Sequence, residues 1–536
     1  MTPPQFGGQG RARHPAALVV AMICALAQAD SVAAAVPAPR GALVAGNASE
    51  PPHLNPAITT GGNVHAVTAS LFNGLVGLDQ NANPIPELAE KWEVSEDGSI
   101  YTFFLRKDVR WHDGTPFTSA DVKFTFEDLL LKFHARTRAG LQDNLAEIST
   151  PDPHTVVFRF RHGYAPLLRR LDAIEAPILP RHIYQRKDAF TDPVNQRPIG
   201  TGPFRFGEWV RGSHIVLMRN DDYFRKDLPY LKRVTFRFLP TAAAAAVALE
   251  VGEVDYLSQV DGPDLNHLRS AKGIVLARSA SGSGGSYCIN TLIPNLARPP
   301  LQNVEVRQAI NIAIDRKFIL GRVHFGAGRM ARGPIHSTLP WFDPALTDVP
   351  YDRQKAERSL DAAGFPRTAN GIRFSLRFSY ANRSFGPLAD ALRTQLGQIG
   401  IDLILDPGDF NTVVERVFVK KDFDLGVASF CNGPDPDIGV KRIYHSSNIL
   451  PIPFSNGAGY RNPEVDALFD RAAQTMDDAK RVSMYRQIQS ILVKEIPYFW
   501  LIETEVYRAY RLDAKGLRFW SGNAFEGATM EGPSGK

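Results

Sequence analysis

Between residues 372 and 429 the chain switches repeatedly between a period of two and a period near 3.6. No other feature of the 536-residue chain restricts its fold class as much. Phe374, Leu376 and Phe378 alternate with polar neighbours, as on a strand with one buried face. Pro387 suits the first turn of a helix. Leu388, Leu392, Leu396 and Ile399 follow at helical spacing, and Gly400 suits its stop. Ile401, Leu403 and Leu405 alternate again, and a helix over 411–419 and a strand over 424–429 extend the series. Strands separated by helices need crossover connections, so this region predicts an α/β sheet covered by helices. Asn303 predicts the cap of a preceding helix with Val306, Ile310, Ala313 and Ile314 on one face. Pro463 and Ala479 open two later helices, the second amphipathic through Met484, Ile488 and Leu492.

The first half reads differently. Residues 41–46 predict a strand and 64–71 a helix, and short strands dominate from about 79 to 198. Asp97-Gly98 and Asp113-Gly114-Thr115-Pro116 are turn chemistry on either side of a strand over Tyr101–Leu105. Ser119 predicts a helix N-cap, with Asp121 in the first turn where a carboxylate suits the helix dipole. Residues 204–210 and 214–219 form a hairpin-like pair. A helix over 241–251 closes at Gly252, and its alanine run reflects helix propensity alone.

The N-terminus predicts an export signal over residues 1–29. Arg11, Arg13 and His14 precede a short apolar run from Ala16 to Leu26. Ala27-Gln28-Ala29 supplies a cleavage site, which makes Asp30 the first mature residue, and Ala33-Ala34-Ala35 is a second candidate. The run is shorter than the roughly 20 residues that span a bilayer, so the mature chain is expected to be soluble. Ile23 before Cys24 does not suit a lipoprotein site. Removing the signal leaves Cys288 and Cys431, which form either a disulfide in an oxidising compartment or two buried thiols. The net charge of +5, less the two charges of Arg11 and Arg13, shows no concentrated basic run, which argues against nucleic acid as a partner. Hydrophobic residues at 44% suffice for real cores.

Catalytic and cofactor motifs are missing from the sequence. It has no His-Glu-x-x-His and no Cys-x-x-Cys, so no metal is expected. Gly326-Ala327-Gly328-Arg329-Met330-Ala331 imitates a dinucleotide loop, but it follows a helix and Pro334 breaks any helix after it. Gly282–Ser286 lacks nucleophile-elbow spacing and reads as a connector. His112, in Trp-His-Asp-Gly, is expected to hold a turn. No cofactor and no enzymatic activity are expected.

Five blocks carry a resemblance: LAEKWE from Leu88, DGSIYTFFLR from Asp97, VRWHDGTPFT from Val109, ADVKFT from Ala120 and GTGPF from Gly200. Asn220–Phe224 and Gly252–Asp255 match further steps. In this order they resemble the family 5 extracellular solute-binding proteins, the peptide, dipeptide and nickel-binding components of ABC importers. The resemblance runs from Gly41 to about Gly522. It implies a two-lobe periplasmic binding protein with a hinge and a small inserted domain. Lobe I would comprise 41–77, 200–285 and 505–522, the inserted domain 78–199, and lobe II 286–504. The chain would cross between lobes near 286–290 and 503–507. The implied partners are a small polar solute, most naturally a peptide, and an inner-membrane permease, with the protein itself a monomer in a Gram-negative periplasm. An opine, an oligosaccharide or a metal chelate is the alternative solute, and an exported hydrolase the alternative class.

Two segments are the expected ligand contacts. In Tyr287-Cys288-Ile289-Asn290, at the first crossing, alternate residues would face the cleft. Tyr287 would stack and Asn290 would pair with amides, or else Tyr287 and Ile289 are core. The second segment runs from Phe430 to Asp437, directly after a strand, where α/β proteins carry ligands. The resemblance places Asn432 where peptide binders use an aspartate for the α-amino group. A neutral amide there would weaken binding of unmodified peptides, and an aspartate would restore it. Asp435 and Asp437 would either compensate or cap the next helix. Arg383 lies where dipeptide binders hold the ligand carboxylate, or else it is an ordinary surface arginine.

Overall fold

Three sheets organise the chain in the computed structural model, which describes residues 41–47, 49–260, 262–279, 287–519 and 523–531. The expected signal, Cys24, both cleavage sites and Gly282–Ser286 lie outside the described residues. A six-stranded sheet has the order Arg329–Met330, Phe499–Glu503, Cys288–Pro294, Leu425–Cys431, Phe374–Ala381, Ile401–Gly408. Phe374–Ala381 runs parallel to both of its neighbours, and the remaining pairs are antiparallel. The crossover helices that parallel pairing demands cover the sheet. Leu388, Leu392 and Leu396 of helix Asn382–Gln398 pack with Val306 and Ile310 on one face. Val465, Phe469, Tyr485 and Ile488 of helices Pro463–Gln474 and Asp478–Glu495 pack on the other.

Two expected helix starts are displaced. Helix Asn382–Gln398 begins well before Pro387, which sits inside it. An interior proline costs about 3 kcal/mol. Leu388, Leu392, Leu396 and Ile399 are at most 1% exposed, and each such burial contributes roughly 2 kcal/mol, so packing outweighs the break. The cap before Ser119–Phe124 is Thr118, whose N–H donates to Asp121 Oδ2 (2.9 Å) in a capping box. Asn303 caps its helix as the sequence predicts, and Thr241, expected as the first residue of its helix, is the N-cap of Ala242–Glu250.

A seven-stranded sheet gathers strands from three stretches of chain, in the order Ile274–Ser279, Val506–Arg511, Tyr256–Val260, Ala42–Asn47, Arg233–Phe238, His214–Arg219, Phe204–Val210. A four-stranded antiparallel sheet (Ala89–Val94, Ile100–Leu105, Thr155–Phe160, Leu145–Asp152) shares its core, since Leu43, Ile215 and Val234 belong to one cluster with Phe103 and Phe158. His112 fastens the region. Its ring meets Gly202 O (3.0 Å) and accepts from Gly200 N (3.1 Å), and burial lowers its pKa to about 4.

The chain passes between the seven- and six-stranded sheets twice. Ser279 ends a strand of one and Cys288 begins a strand of the other. On the return, Glu503 and Val506 are separated by Thr504 and Glu505 alone. Thr504 donates to Cys288 O from both N (2.9 Å) and Oγ1 (3.1 Å), so the return passage starts beside the end of the first one. Buried Glu505 meets Arg329 (3.0 Å) beside the six-stranded sheet and Arg278 (3.7 Å) beside the seven-stranded one. No helix among the described residues is long and apolar enough to cross a membrane.

Candidate functional site

Four strands of the six-stranded sheet end on one edge, at Ala381, Gly408, Cys431 and Glu503, and Cys288 begins there. Loops at the carboxyl ends of such strands form the ligand crevice of open α/β sheets. The register brings the two expected segments together. Cys288 stands opposite Cys431, Ile289 opposite Phe430 and Asn290 opposite Ser429. Cys288 and Cys431, 143 positions apart in the chain, are disulfide-bonded, which resolves the two readings of these cysteines.

Strand alternation then sorts the candidates. Ile289 and Phe430 face the interior, where the Phe430 ring meets Phe418 (6.2 Å) and Tyr498 (6.0 Å). Phe430 is therefore a packing residue here, a correction to its reading as a ligand contact. On the other face the apolar pair Leu292 and Val427 gives way to Asn290 and Ser429. Asn290 is buried, with Nδ2 3.4 Å from His324 Nε2, and Ser429 is exposed. Tyr287, half-buried at φ 43°, sets its ring edge-on to His336 at 5.8 Å. Arg383 falls in the first turn of helix Asn382–Gln398, on this edge, and its side chain lies outside the described residues.

Asn432 does not present its amide to the crevice. The side chain is 1% exposed, Oδ1 accepts from His336 N (2.7 Å) and Nδ2 donates to Pro334 O (3.2 Å). Its own N–H donates to Tyr287 O (3.2 Å). The expectation that its neutrality selects against peptides is corrected on geometry, because both ends of the amide are occupied by backbone. Beside it, buried Glu503 accepts from Ser337 N (3.0 Å) and Oγ (2.5 Å), and burial raises its carboxyl above the ordinary range. Burial also lowers His336 to about 4, with Arg329 acting in the same direction.

Asp435 and Asp437 are both buried and both committed. Asp435 caps helix Pro436–Gly439, accepting from Asp437 N (3.1 Å), and pairs with fully buried Arg481 at 2.7 Å. Asp437 accepts from Tyr164 Oη (2.6 Å) and Arg170 Nη2 (3.0 Å), with Lys441 3.8 Å away. Burial alone would raise Asp437, but Lys441, Arg170 and Tyr164 outweigh it and hold the carboxyl below its usual range. Tyr164 and Arg170 belong to the region of the four-stranded sheet, so Asp437 joins that region to the six-stranded one. Arg169 adds a bond to Asp478 (3.0 Å), and Ala165 N donates to Ala473 O (2.9 Å). Sequence reasoning missed these partners. The available signal was the pair of acids itself, since buried charges are nearly always paired. Among the described residues no group of three or more His, Cys, Asp or Glu could hold a metal.

Two sheets joined by paired passages, with a crevice at strand ends, define a two-lobe periplasmic-type binding protein. Residues 83–450 match the model of the bacterial extracellular solute-binding proteins, family 5 (middle), and the chain belongs to that family. Di/tripeptide-binding protein 1 of Pseudomonas aeruginosa is 29% identical, over 94% of this chain and 97% of its own. The binding protein AgaA of A. tumefaciens R10, solved in complex with agropinic acid, superposes with a TM-score of 0.78 at 27% identity. That match covers 91% of this chain and 99% of AgaA. DppA of Helicobacter pylori, solved with the peptide STSA, has the same fold, with a TM-score of 0.78 at 24% identity over 91% of this chain and 98% of its own.

Proposed function

We propose that the chain is the periplasmic solute-binding component of a peptide-type ABC importer. It captures a peptide or peptide-like solute between its lobes and delivers it to an inner-membrane permease. It performs no chemistry on the solute and works as a monomer after its export signal is removed. Lobe I comprises 41–77, 200–285 and 505–522, lobe II comprises 286–504, and 78–199 is an inserted domain. The observation that carries this reading is the meeting of the two passages at Cys288 and Thr504, which lets the lobes turn as rigid bodies about the crevice. Solute contacts are expected from Tyr287, Asn290, Ser429 and Arg383 on the strand-end edge. The di/tripeptide relative supports a short peptide as ligand. The agropinic acid complex of AgaA favours a second reading, a small organic acid in the same crevice. Calorimetry with di- and tripeptides, paired with solution scattering, tests the proposal. The expected result is binding accompanied by a smaller radius of gyration. Failure of every peptide and small acid to bind would reject it.

A further inference from the structure

A cavity of about 380 Å³ lies between residues 136–170 and residues 437–474. This is within the range of small-molecule sites. Asp437 and Ile438, on the segment that follows the strand ending at Cys431, form part of its wall. Its bases are mostly matched by acids. Arg170 meets Asp437 (3.0 Å), Lys441 meets Asp470 (2.8 Å), and Arg136 meets Glu175 (2.9 Å). Asp143 and Arg161 are exposed, and an Arg161 guanidinium N–H donates to Asp143 O (2.6 Å). Arg442 differs. Its Nε donates to Gly439 O (3.4 Å), and among the described residues no carboxylate lies within ion-pairing distance of it. Arg170 Nε and Arg136 Nε, both buried, also lack a hydrogen-bond partner.

We propose that this cavity is a subsite for a carboxylate carried by the solute, with Arg442 as the cation that receives it. The proposal rests on the solute-binding reading above. With Nε on Gly439, the terminal N–H groups of Arg442 remain for two parallel hydrogen bonds, the arrangement in which guanidinium matches a carboxylate. Arg442 is partly exposed in the cavity wall, so its guanidinium is open to an incoming anion. Burial lowers the Arg442 pKa to about 10, with Arg136 and Arg170 acting in the same direction and Glu175 against them. Ile452, Pro453 and Phe454 complete the lining, so the solute carries an apolar portion beside its acid.

The test is calorimetry on the full chain with three probes, Ala-Ala-Glu, Ala-Ala-Gln and C-terminally amidated Ala-Ala-Gln. The first comparison isolates a side-chain carboxylate and the second a terminal one. At least one carboxylate is expected to improve affinity about tenfold or more. That preference should vanish in Arg442→Gln and survive in part in Arg442→Lys. The Arg442→Gln melting temperature should hold or rise, since an unmatched charge has been removed, whereas a purely structural arginine would lower it. Equal affinity for all three probes overturns the subsite and leaves the solute-binding reading standing. A preference that persists in Arg442→Gln removes Arg442 from the role. No binding by any probe or by the wider peptide and small-acid panel overturns both proposals.

Discussion

The segment from Phe430 to Arg442 is anchored in two ways. Its front, Phe430 to Asn432, is tied within the region of the six-stranded sheet, through the core, the disulfide and the backbone of residues 334–336. Its rear, Asp437 to Arg442, reaches Tyr164 and Arg170 in a different part of the molecule and walls the cavity with them. Asp435 sits between these behaviours. It looks like Asp437, yet its main partner, Arg481 (2.7 Å), lies in the region of the six-stranded sheet, with Arg169 farther off at 4.0 Å. Adjacent acids in one short loop thus serve two ends, one holding a lobe together and the other holding two regions against each other.

Asp435→Ala gives the sharpest test of the front. It takes from Arg481, which is 0% exposed, its buried acid and leaves it the exposed Asp478 (3.2 Å), and breaking such a buried pair costs about 3–5 kcal/mol. Denaturant unfolding should show that loss as a lower midpoint. A change under 1 kcal/mol would mean the pair is not what fixes this loop. Next is the cystine. Reducing Cys288–Cys431, or replacing both residues by serine, should cost about 2–4 kcal/mol in stability. A midpoint unaffected by reductant would show that the strand ladder suffices.

Arg170→Met should act at the rear with less effect on folding, because Lys441 remains 3.8 Å from Asp437. The loss of a charged hydrogen bond, about 1.5–3 kcal/mol, should fall on closure. A larger radius of gyration with ligand present, at nearly unchanged melting temperature, is the expected signature. Equal loss of stability in Arg170→Met and Asp435→Ala would erase the distinction between front and rear. The smallest effect is assigned to Asn432→Asp. The new carboxylate cannot donate to Pro334 O, so stability should drop by about 1–3 kcal/mol with no gain in peptide affinity. Improved binding of unmodified peptides would restore the charge-selection reading of this position.

The same contrast marks what could be read from the sequence. The strand–helix alternation of 372–429 was legible because periodicity is local, and its burial in two layers follows from it. Helix starts slipped where packing overruled a local signal, as at Pro387. The burial of Asn432 was not legible, because its partners stand 96 and 98 positions away and no local pattern names them. Arg170 and Arg442 were not singled out at all. An arginine on a short turn carries no mark of a buried acid or a cavity elsewhere in the chain. The cysteines were ambiguous for the same reason, since only strand register sets Cys288 against Cys431.

Thr504 and Glu505, the whole of the return passage, have a mechanical consequence. Four backbone torsions span it, and the hydrogen bonds from Thr504 to Cys288 pin it to the other passage. On the proposed lobe division, so short a connection favours turning of the lobes over sliding. Glu505, gripped from each side by Arg329 and Arg278, sits on the axle rather than at the rim. One distance between two labels, placed far from that axle on opposite proposed lobes, then follows that turning.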